Sequence, residues 1–293
     1  MASIESKLFH LFLVLINKKK FLELQFAFKK FDFYNSNEPS RGTYKYCHVD
    51  KSHVNGHPVF TLTSKAGKSK THILYFHGGA YVQGFVKQHW KFLSMLVHQT
   101  HCTITAPAYP LAPQFTCVDA YNMLTPLYKE ITSNAGAVNT ILMGDSAGGG
   151  LALALAQKIK ADNIPTPGKI ILLSPWLDIT LNNPEIKKID STDPFLSVKG
   201  LRKAGLSFAG DIDVDDFRLS PINGSPEGIG EISIFIGSRD ILVADARKFN
   251  TLAKEQGLSL NYNEYKDMVH VWMLLNFPES MKAKRQIIDL IAE

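Results

Sequence analysis

The segment at residues 144–148 reads Gly-Asp-Ser-Ala-Gly and places a serine at the centre of the pattern Gly-x-Ser-x-Gly. Residues 141–143 before it have the composition of a strand, and residues 151–156 after it that of a helix. Small residues two before and two after Ser146 permit a sharp strand-to-helix turn that lifts the hydroxyl above a sheet. The pattern therefore predicts that Ser146 is a nucleophile. The alternative is a glycine-rich turn that packs tightly or binds a phosphate.

The candidate base follows from the positions of the histidines. A serine hydroxyl is a poor nucleophile unless a base accepts its proton. Strand–turn–helix sites with this serine pattern carry their partners in the chain order Ser, then Asp or Glu, then His. Nine of the ten histidines lie at or before residue 101, and only His270 follows Ser146. His270 is therefore the predicted base.

The carboxylate that orients His270 must lie between Ser146 and that histidine. Asp240 is the best candidate, because it comes just after the apolar run at residues 234–236, at the carboxyl end of a predicted strand, where catalytic groups of α/β sheets collect. Asp245 competes with it, but an acidic residue in the first turn of a helix complements the helix dipole. Asp178, at the end of another strand, is the second competitor.

A third feature supplies donors for a substrate oxyanion. The sequence His-Gly-Gly-Ala begins at His77, directly after an apolar strand at residues 73–76. Glycines let the backbone approach a substrate oxygen without a side chain in the way. We expect the N–H groups of Gly78 and Gly79, joined by that of Ala147, to form an oxyanion hole. His77 precedes the serine, so we expect it to anchor the loop rather than to act as a base.

A scaffold must position these residues, and the sequence predicts short apolar strands that alternate with helices. The predicted strands are 43–49, 59–63, 71–76, 102–106, 140–143, 169–173, 232–236 and 258–265. The predicted helices are 116–132, 147–160, 244–256 and 278–291. Such alternation predicts an α/β fold with a mostly parallel sheet covered on both faces, after an antiparallel opening pair. Residues 181–226 interrupt this alternation of strands and helices and are too long for a simple crossover, which indicates a lid or cap.

Composition and charge exclude several classes of protein. The 293 residues are 45% hydrophobic and 20% charged, which is typical of a soluble globular protein and not of a disordered chain. The three cysteines form no Cys-x-x-Cys pair, which argues against a disulfide framework or a zinc site and predicts a reducing, cytoplasmic location. Much of the net charge of +5 comes from residues 1–30, with six lysines against two glutamates, which argues against a nucleic-acid partner.

The basic N-terminus also contains an apolar run at residues 11–16, followed by three lysines. This run is too short to span a bilayer, which takes about 20 residues. A signal peptide would carry its charge before the apolar run and a small-residue cleavage site after it. The order here argues against stable membrane insertion. We expect a helix whose apolar side covers its own protein, with a helix lying on a membrane surface as the alternative.

Taken with their order, these motifs resemble the hormone-sensitive-lipase-like (bacterial type IV) esterase branch of the α/β-hydrolase fold superfamily. The matching segments are 77–84 (HGGAYVQG), 109–114 (YPLAPQ), 144–149 (GDSAGG), 174–178 (SPWLD), 237–242 (GSRDIL) and His270. Ala80 replaces the third glycine of HGGG, and Pro110 and Gln114 replace the arginine and glutamate of YRLAPE. The first departure narrows the alcohol side of the pocket, and the second removes an ion pair.

The resemblance implies an α/β-hydrolase fold with an eight-stranded sheet and a helical cap. It implies N-terminal cap helices at 1–40, a core at 41–180, a cap insertion at 181–226 and the rest of the core at 227–293. The cap interpretation places Leu11, Phe12 and Leu15 over the acyl pocket.

The implied function is that of a serine carboxylesterase that hydrolyses short to medium acyl esters through the triad Ser146, His270 and Asp240, with no cofactor or metal. Its expected partner is a small-molecule ester, and the oligomeric state, including a homodimer, is left open. Aromatic residues predicted near the site mouth are Tyr81, Phe85, Trp176, Phe195, Phe208 and Trp272. Three alternatives remain: an amidase or arylformamidase with the same triad, a membrane-peripheral lipase, and a non-catalytic ligand-binding protein.

Overall fold

In the computed structural model, which describes residues 2–293, eight strands form one sheet. The strands are β1 (Cys47–Val54), β2 (His57–Ser64), β3 (His72–Phe76), β4 (Thr103–Pro107), β5 (Thr140–Asp145), β6 (Lys169–Leu173), β7 (Glu231–Gly237) and β8 (Asn261–Tyr265). Their order is β1-β2-β4-β3-β5-β6-β7-β8. β2 pairs antiparallel with β1 and β4, and every other neighbouring pair is parallel. The predicted mostly parallel sheet with its antiparallel opening pair is confirmed.

The described part of the chain contains ten α-helices. They are α1 (Ile4–Leu15), α2 (Phe21–Phe28), α3 (Arg41–Tyr46), α4 (Lys87–Thr100), α5 (Cys117–Ala135), α6 (Ala147–Ala161), α7 (Ile186–Ile189), α8 (Val198–Ala209), α9 (Val243–Glu255) and α10 (Pro278–Ala292). Successive residues of a strand point to opposite faces of the sheet. Leu74 and Leu142 pack in a core shared with α5, α6 and α9, whereas Tyr75 and Met143 pack in a core shared with α4 and α10. The central strands are therefore apolar on both faces, as a covered parallel sheet requires.

One predicted strand begins too early. The sequence pattern placed the first strand at residues 43–49, but Arg41–Tyr46 form α3 and the strand starts at Cys47. The N–H of Thr43 donates to the Ser40 carbonyl at 2.9 Å and opens the helix. The Tyr46 ring lies 4.6 Å from the ring of His98 on α4. Packing against α4 thus outweighs the strand preference of threonine and tyrosine.

The second N-terminal helix, α2, and the turn before it pack against residues 181–226. A Cβ built on Gly200 of α8 would lie 3.2 Å from the Leu22 side chain of α2, so these two helices approach closely. Just before α2, Lys19 Nζ lies 2.8 Å from the carboxylate of Asp190. Contacts from both α2 and its preceding turn therefore join two segments that are distant in sequence.

The position of α1 differs from expectation. The prediction that Leu11, Phe12 and Leu15 pack over the acyl pocket is wrong, because all three side chains are exposed. The opposite side of α1 faces the protein, where the Phe9 ring lies 6.2 Å from the ring of Phe277. The apolar residues of α1 outnumber the inward positions that the neighbouring elements can cover.

Candidate active site

Ser146 occupies the turn between β5 and α6. Its backbone angles, φ 54° and ψ −121°, are strained for a residue with a side chain. A Cβ on Gly144 would lie 2.2 Å from the Gly148 carbonyl oxygen, and one on Gly148 would lie 2.0 Å from that of Phe76. Both positions therefore require glycine. The Ser146 N–H donates to the Leu173 carbonyl at 2.9 Å, which ties the turn to β6.

Three side chains from separate loops meet at this turn. His270 Nε2 lies 2.8 Å from Ser146 Oγ, and His270 Nδ1 lies 2.7 Å from Asp240 Oδ2. All three residues are buried. The structure thus brings together the predicted nucleophile, base and carboxylate in one hydrogen-bonded row.

The loops after β7 and β8 hold the second and third members of this row. Asp240 Oδ1 accepts the N–H of Leu242 at 3.0 Å, which leaves Oδ2 directed at the imidazole. The N–H of Val271, next to His270, donates to Ser174 Oγ at 3.1 Å. Sequence reasoning did not assign a role to Ser174, although it follows β6 and begins the quoted segment at residues 174–178.

The two competing carboxylates are engaged elsewhere. Asp245 accepts from the Asn183 side-chain amide at 2.9 Å. Asp178 accepts from the Thr180 N–H at 2.8 Å and closes a local turn. Only Asp240 of the three candidates bonds to His270.

The charges around His270 keep it basic although it is buried. Burial by itself lowers the pKa of His270, but the charge and hydrogen bond of Asp240 outweigh that effect. The nearby carboxylate of Asp193 acts in the same direction, so the pKa lies above the ordinary value of 6.5. The imidazole is therefore stabilised in the protonated form that a transferred proton would produce.

Asp193 is a second buried carboxylate beside the row, and sequence reasoning missed it. Its Oδ2 accepts the N–H of Ile241 at 2.9 Å, and its Oδ1 accepts the N–H groups of Phe195 at 2.7 Å and Leu196 at 3.0 Å. Burial and the charge of Asp240 raise the pKa of Asp193 to about 7. This side chain joins the 181–226 segment to the loop that carries Asp240.

In the loop after β3, the N–H of Gly78, a predicted oxyanion donor, is already bonded to another residue. The N–H of Gly78 donates to Asp145 Oδ1 at 2.9 Å, and the Tyr75 hydroxyl donates to the same oxygen at 2.5 Å. His89 Nε2 lies 3.3 Å from Asp145 Oδ2. Burial raises the pKa of Asp145, but the charge of His89 and these hydrogen bonds outweigh that effect. The pKa of Asp145 is therefore lower than its ordinary value. The Gly78 N–H therefore serves an internal anion and not a substrate oxyanion.

Three other backbone N–H groups near Ser146 are free: those of the next two residues of this loop and that of Ala147 at the start of α6. The N–H groups of Gly79, Ala80 and Ala147 have no acceptor within residues 2–293. Ala80 adopts a φ of 54°, a left-handed conformation that alanine rarely takes. Glycine at this position, as in HGGG, would carry less strain.

His77 holds the start of this loop. It is buried, and its ring stacks on Tyr109 at 4.4 Å. The Tyr109 hydroxyl donates to the His77 carbonyl at 2.7 Å, and His77 Nδ1 donates to the Gly78 carbonyl at 2.8 Å. Burial and the neighbouring His89 lower the pKa of His77 to about 3, so it stays neutral.

Four of the six predicted aromatic residues lie in residues 181–226 or in a stack of rings that reaches that segment. Tyr81 stacks on Phe208 at 4.1 Å and on Trp176 at 5.5 Å between ring centroids. The Phe195 ring lies 5.5 Å from that of His270. Phe195 is only half-buried, so it is the aromatic side chain best placed to meet a substrate.

The other two predicted aromatic residues, Phe85 and Trp272, are buried in the core, and their substrate role stays a prediction. Phe85 stacks on Trp90 at 4.4 Å, and Trp272 lies 5.0 Å from Tyr265. Both belong to the core shared with α4 and α10. Their bulk fills the protein interior.

A cation that was not predicted lies beside Phe195. Lys18 Nζ is 4.0 Å from the centroid of the Phe21 ring and 5.2 Å from that of Phe195. Burial lowers the pKa of Lys18 to about 8. The N-terminal segment therefore reaches an aromatic ring that contacts the imidazole of His270.

A surface groove lies far from this row. Its volume is about 390 Å³, and it is lined by Lys129, Thr132, Ser133, Ala137, Asn163, Ile164 and Pro165. Ala137 precedes β5, so the groove lies at the amino ends of the strands, opposite Ser146. It holds no group of the candidate site.

Comparison with known proteins agrees with this architecture. The sequence profile of the alpha/beta hydrolase fold matches residues 73–274. An esterase from Acinetobacter venetianus is 29% identical over 231 residues, which cover 77% of this chain and 76% of that protein. A solved Staphylococcus aureus structure, assigned as an esterase, is 30% identical with a TM-score of 0.81 and covers 84% of each chain. A solved esterase from the bacterial hormone-sensitive lipase family is 25% identical, with a TM-score of 0.78 over 84% of each chain.

Proposed function

Because this chain belongs to the alpha/beta hydrolase fold family, we propose that it is a serine carboxylesterase that acts through Ser146, His270 and Asp240. The resemblance to the hormone-sensitive-lipase-like branch is confirmed by its similarity to an esterase of that bacterial family. The observation that carries the proposal is the row of two hydrogen bonds, 2.8 and 2.7 Å long, from Ser146 through His270 to Asp240. A protein that only bound a ligand would not need a base beside a strained serine.

In the proposed reaction, Ser146 Oγ attacks the ester carbonyl carbon while His270 Nε2 accepts the hydroxyl proton. Asp240 stabilises the resulting imidazolium through Nδ1–H. The tetrahedral intermediate collapses, the bond to the alcohol oxygen breaks, and His270 donates its proton to that oxygen. Water then attacks the acyl-enzyme by the same route and releases the carboxylic acid and free Ser146. The chemistry needs no cofactor or metal.

The negative oxygen of the tetrahedral intermediate needs donors, and the free N–H groups of Gly79, Ala80 and Ala147 are proposed for that role. Gly79 and Ala147 were expected from sequence, and Ala80 takes the place of Gly78. Gly78 contributes indirectly, because its bond to Asp145 holds the loop against the turn of Ser146.

Small esters with short to medium acyl chains are the proposed substrates. Tyr81, Trp176 and Phe208 stack tightly and are buried, which leaves little room for a long acyl chain beside them.

The proposed location is a reducing, cytoplasmic compartment, which the three unpaired cysteines support.

A panel of nitrophenyl esters with acyl chains of about two to sixteen carbons tests this proposal. We expect kcat/KM to be greatest for a short or medium chain and at least about tenfold lower for the longest, since an acyl group that exceeds its pocket loses its contacts. An arylamide and an arylformamide are measured beside the esters. Faster hydrolysis of either one than of every ester would favour the amidase alternative.

The acid limb of the pH profile gives a separate prediction. His270 must be neutral to accept a proton, so kcat/KM falls as the pH drops through its pKa. Because Asp240 raises that pKa, we expect the midpoint above 6.5, the ordinary value for a histidine. The profile is measured with a neutral ester. Asp193→Asn is expected to lower the midpoint less than loss of the Asp240 charge would, because Asp193 has a pKa of about 7 and carries only part of its charge in this range. A midpoint below 6.5 would contradict the assigned electrostatics.

A further inference from the structure

The apolar face of α1 points away from the protein. Its large side chains occupy positions i, i+4, i+7, i+8 and i+11, which share one side of a helix. They are Ile4 (74% exposed), Leu8 (61%), Leu11 (52%), Phe12 (52%) and Leu15 (75%). We call these five residues the outer face of α1. A surface helix of a globular protein normally turns such a face toward the core, so its exposure requires another partner.

Contacts on the opposite side fix α1 in this orientation. The N–H and hydroxyl of Ser3 donate to the Glu279 carboxylate at 2.6 and 2.8 Å. Leu13 is buried, and the rings of Phe9 and Phe277 lie 6.2 Å apart. Rotation of α1 to bury the outer face would break all of these contacts. These contacts hold the outer face at the surface.

The N-terminal segment that carries this apolar surface has an excess of exposed positive charge. The exposed lysines in the first 34 residues are Lys7, Lys20, Lys29 and Lys30, and the exposed acidic residues are Glu5 and Asp32. A second copy docked here through a two-fold axis would bring together two segments that carry net positive charge. An anionic lipid surface would instead attract them. The charge pattern therefore favours lipid over a second copy.

Neighbouring segments add apolar surface of the same kind. Leu24 and Phe28 lie one turn apart on α2 and are exposed, and Phe33 follows them. Within residues 2–293, no helix has both the length and the apolarity needed to cross a membrane. An amphipathic helix that lies in the plane of the interface buries such a face without crossing.

We propose that the outer face of α1 binds the surface of an anionic lipid bilayer, with the helix parallel to the membrane plane. The cytoplasmic leaflet carries the negative surface potential that such a segment needs. Lys18, three residues after α1, lies over Phe195 beside His270, so binding would hold the candidate active site near the bilayer. The proposal does not depend on the esterase function, because lipid binding can be measured without substrate.

Sedimentation with vesicles tests the proposal directly. The full chain is mixed with vesicles of phosphatidylcholine and phosphatidylserine, at a ratio of about 7:3, in low and in physiological salt. We expect it to sediment with these vesicles and to bind pure phosphatidylcholine vesicles at least about tenfold more weakly. Binding should weaken as salt screens the lysines. Full-length protein that stays in the supernatant at low salt would overturn the proposal.

A triple variant, Leu8→Ser with Leu11→Ser and Leu15→Ser, removes apolar area from the outer face. We expect its partition coefficient on anionic vesicles to fall at least about thirtyfold, since each leucine loses its transfer into lipid. Val138→Ser is the matched control, because Val138 is 79% exposed and lies at the amino-end edge of the sheet. It should bind as the unmodified protein does. Equal binding by the triple variant would show that the outer face is not the contact.

A reporter variant covers the case in which the triple variant does not fold. Trp90, Trp176 and Trp272 are all buried, so Leu11→Trp adds the only exposed indole among the described residues. Lipids brominated on their acyl chains should quench this indole upon vesicle binding, and unquenched emission would contradict an inserted outer face.

Sedimentation equilibrium without lipid tests whether a second copy of this chain covers the outer face instead. A dimer that the triple variant converts to monomer would assign the face to a second copy and overturn the proposal.

Discussion

Ser146→Ala is expected to abolish ester hydrolysis, with kcat about 10⁴- to 10⁶-fold lower. The reason is chemical: alanine has no oxygen to form the acyl-enzyme, and the oxyanion donors and His270 alone support only residual catalysis. The same variant should lose all labelling by a fluorophosphonate, which reacts only with a serine activated by a neighbouring base. Turnover and probe labelling, followed by mapping of the labelled peptide, measure both effects.

Ser233→Ala is the matched control for this change. Ser233 and Ser146 are both 6% exposed, and Ser233 lies on β7, where it bonds to the Asn261 side chain. The Ser233→Ala variant should still be labelled at Ser146 and should keep most of its turnover. Labelling at a serine other than Ser146, or hydrolysis that survives in Ser146→Ala, would remove the basis of the proposed function.

Asp240→Asn is expected to lower kcat by about 10⁴-fold while the protein stays folded. Asp240 Oδ2 accepts the Nδ1–H of His270 at 2.7 Å and so leaves Nε2 free to accept the serine proton. An asparagine amide can donate to Nδ1 instead, which favours the tautomer with its proton on Nε2. It also removes the negative charge that stabilises the imidazolium. Steady-state kinetics and a thermal melt separate lost catalysis from lost stability.

Asp245→Asn is the paired control, because Asp245 is also buried and lies five residues away but bonds to Asn183. Its kcat/KM should stay within about threefold of the unmodified enzyme, as expected for a residue outside the reacting groups. If Asp245→Asn is the crippling change and Asp240→Asn the mild one, the carboxylate has been assigned wrongly.

The outward-facing α1 changes how the N-terminus is understood. A cap helix that covered the acyl pocket would have used its leucines inside the protein, whereas here Leu13 is the buried leucine of α1. Removal of the other leucines should therefore affect membrane binding far more than the folding of the catalytic sheet. The contribution of the N-terminus at the site comes instead from Lys18, beside Phe195.

Part of this protein could be predicted from local sequence. The run of apolar strands and helices predicted the sheet, because a buried parallel strand must be apolar on both faces. The spacing of glycines around Ser146 predicted the turn, since Gly144 and Gly148 contact backbone that no side chain could approach. His270 followed by elimination, as the only histidine after the serine.

Tertiary structure alone decided which polar groups were free and which were already bonded. Gly78 and Asp145 are 67 residues apart in sequence, and only the pairing of β3 with β5 brings the Gly78 N–H to the carboxylate and away from the oxyanion role. Asp193 reached the site from an irregular segment without periodicity. The direction of the apolar face of α1 depended on what lay beneath it, because a helical pattern reveals that a face is apolar but not whether protein covers it.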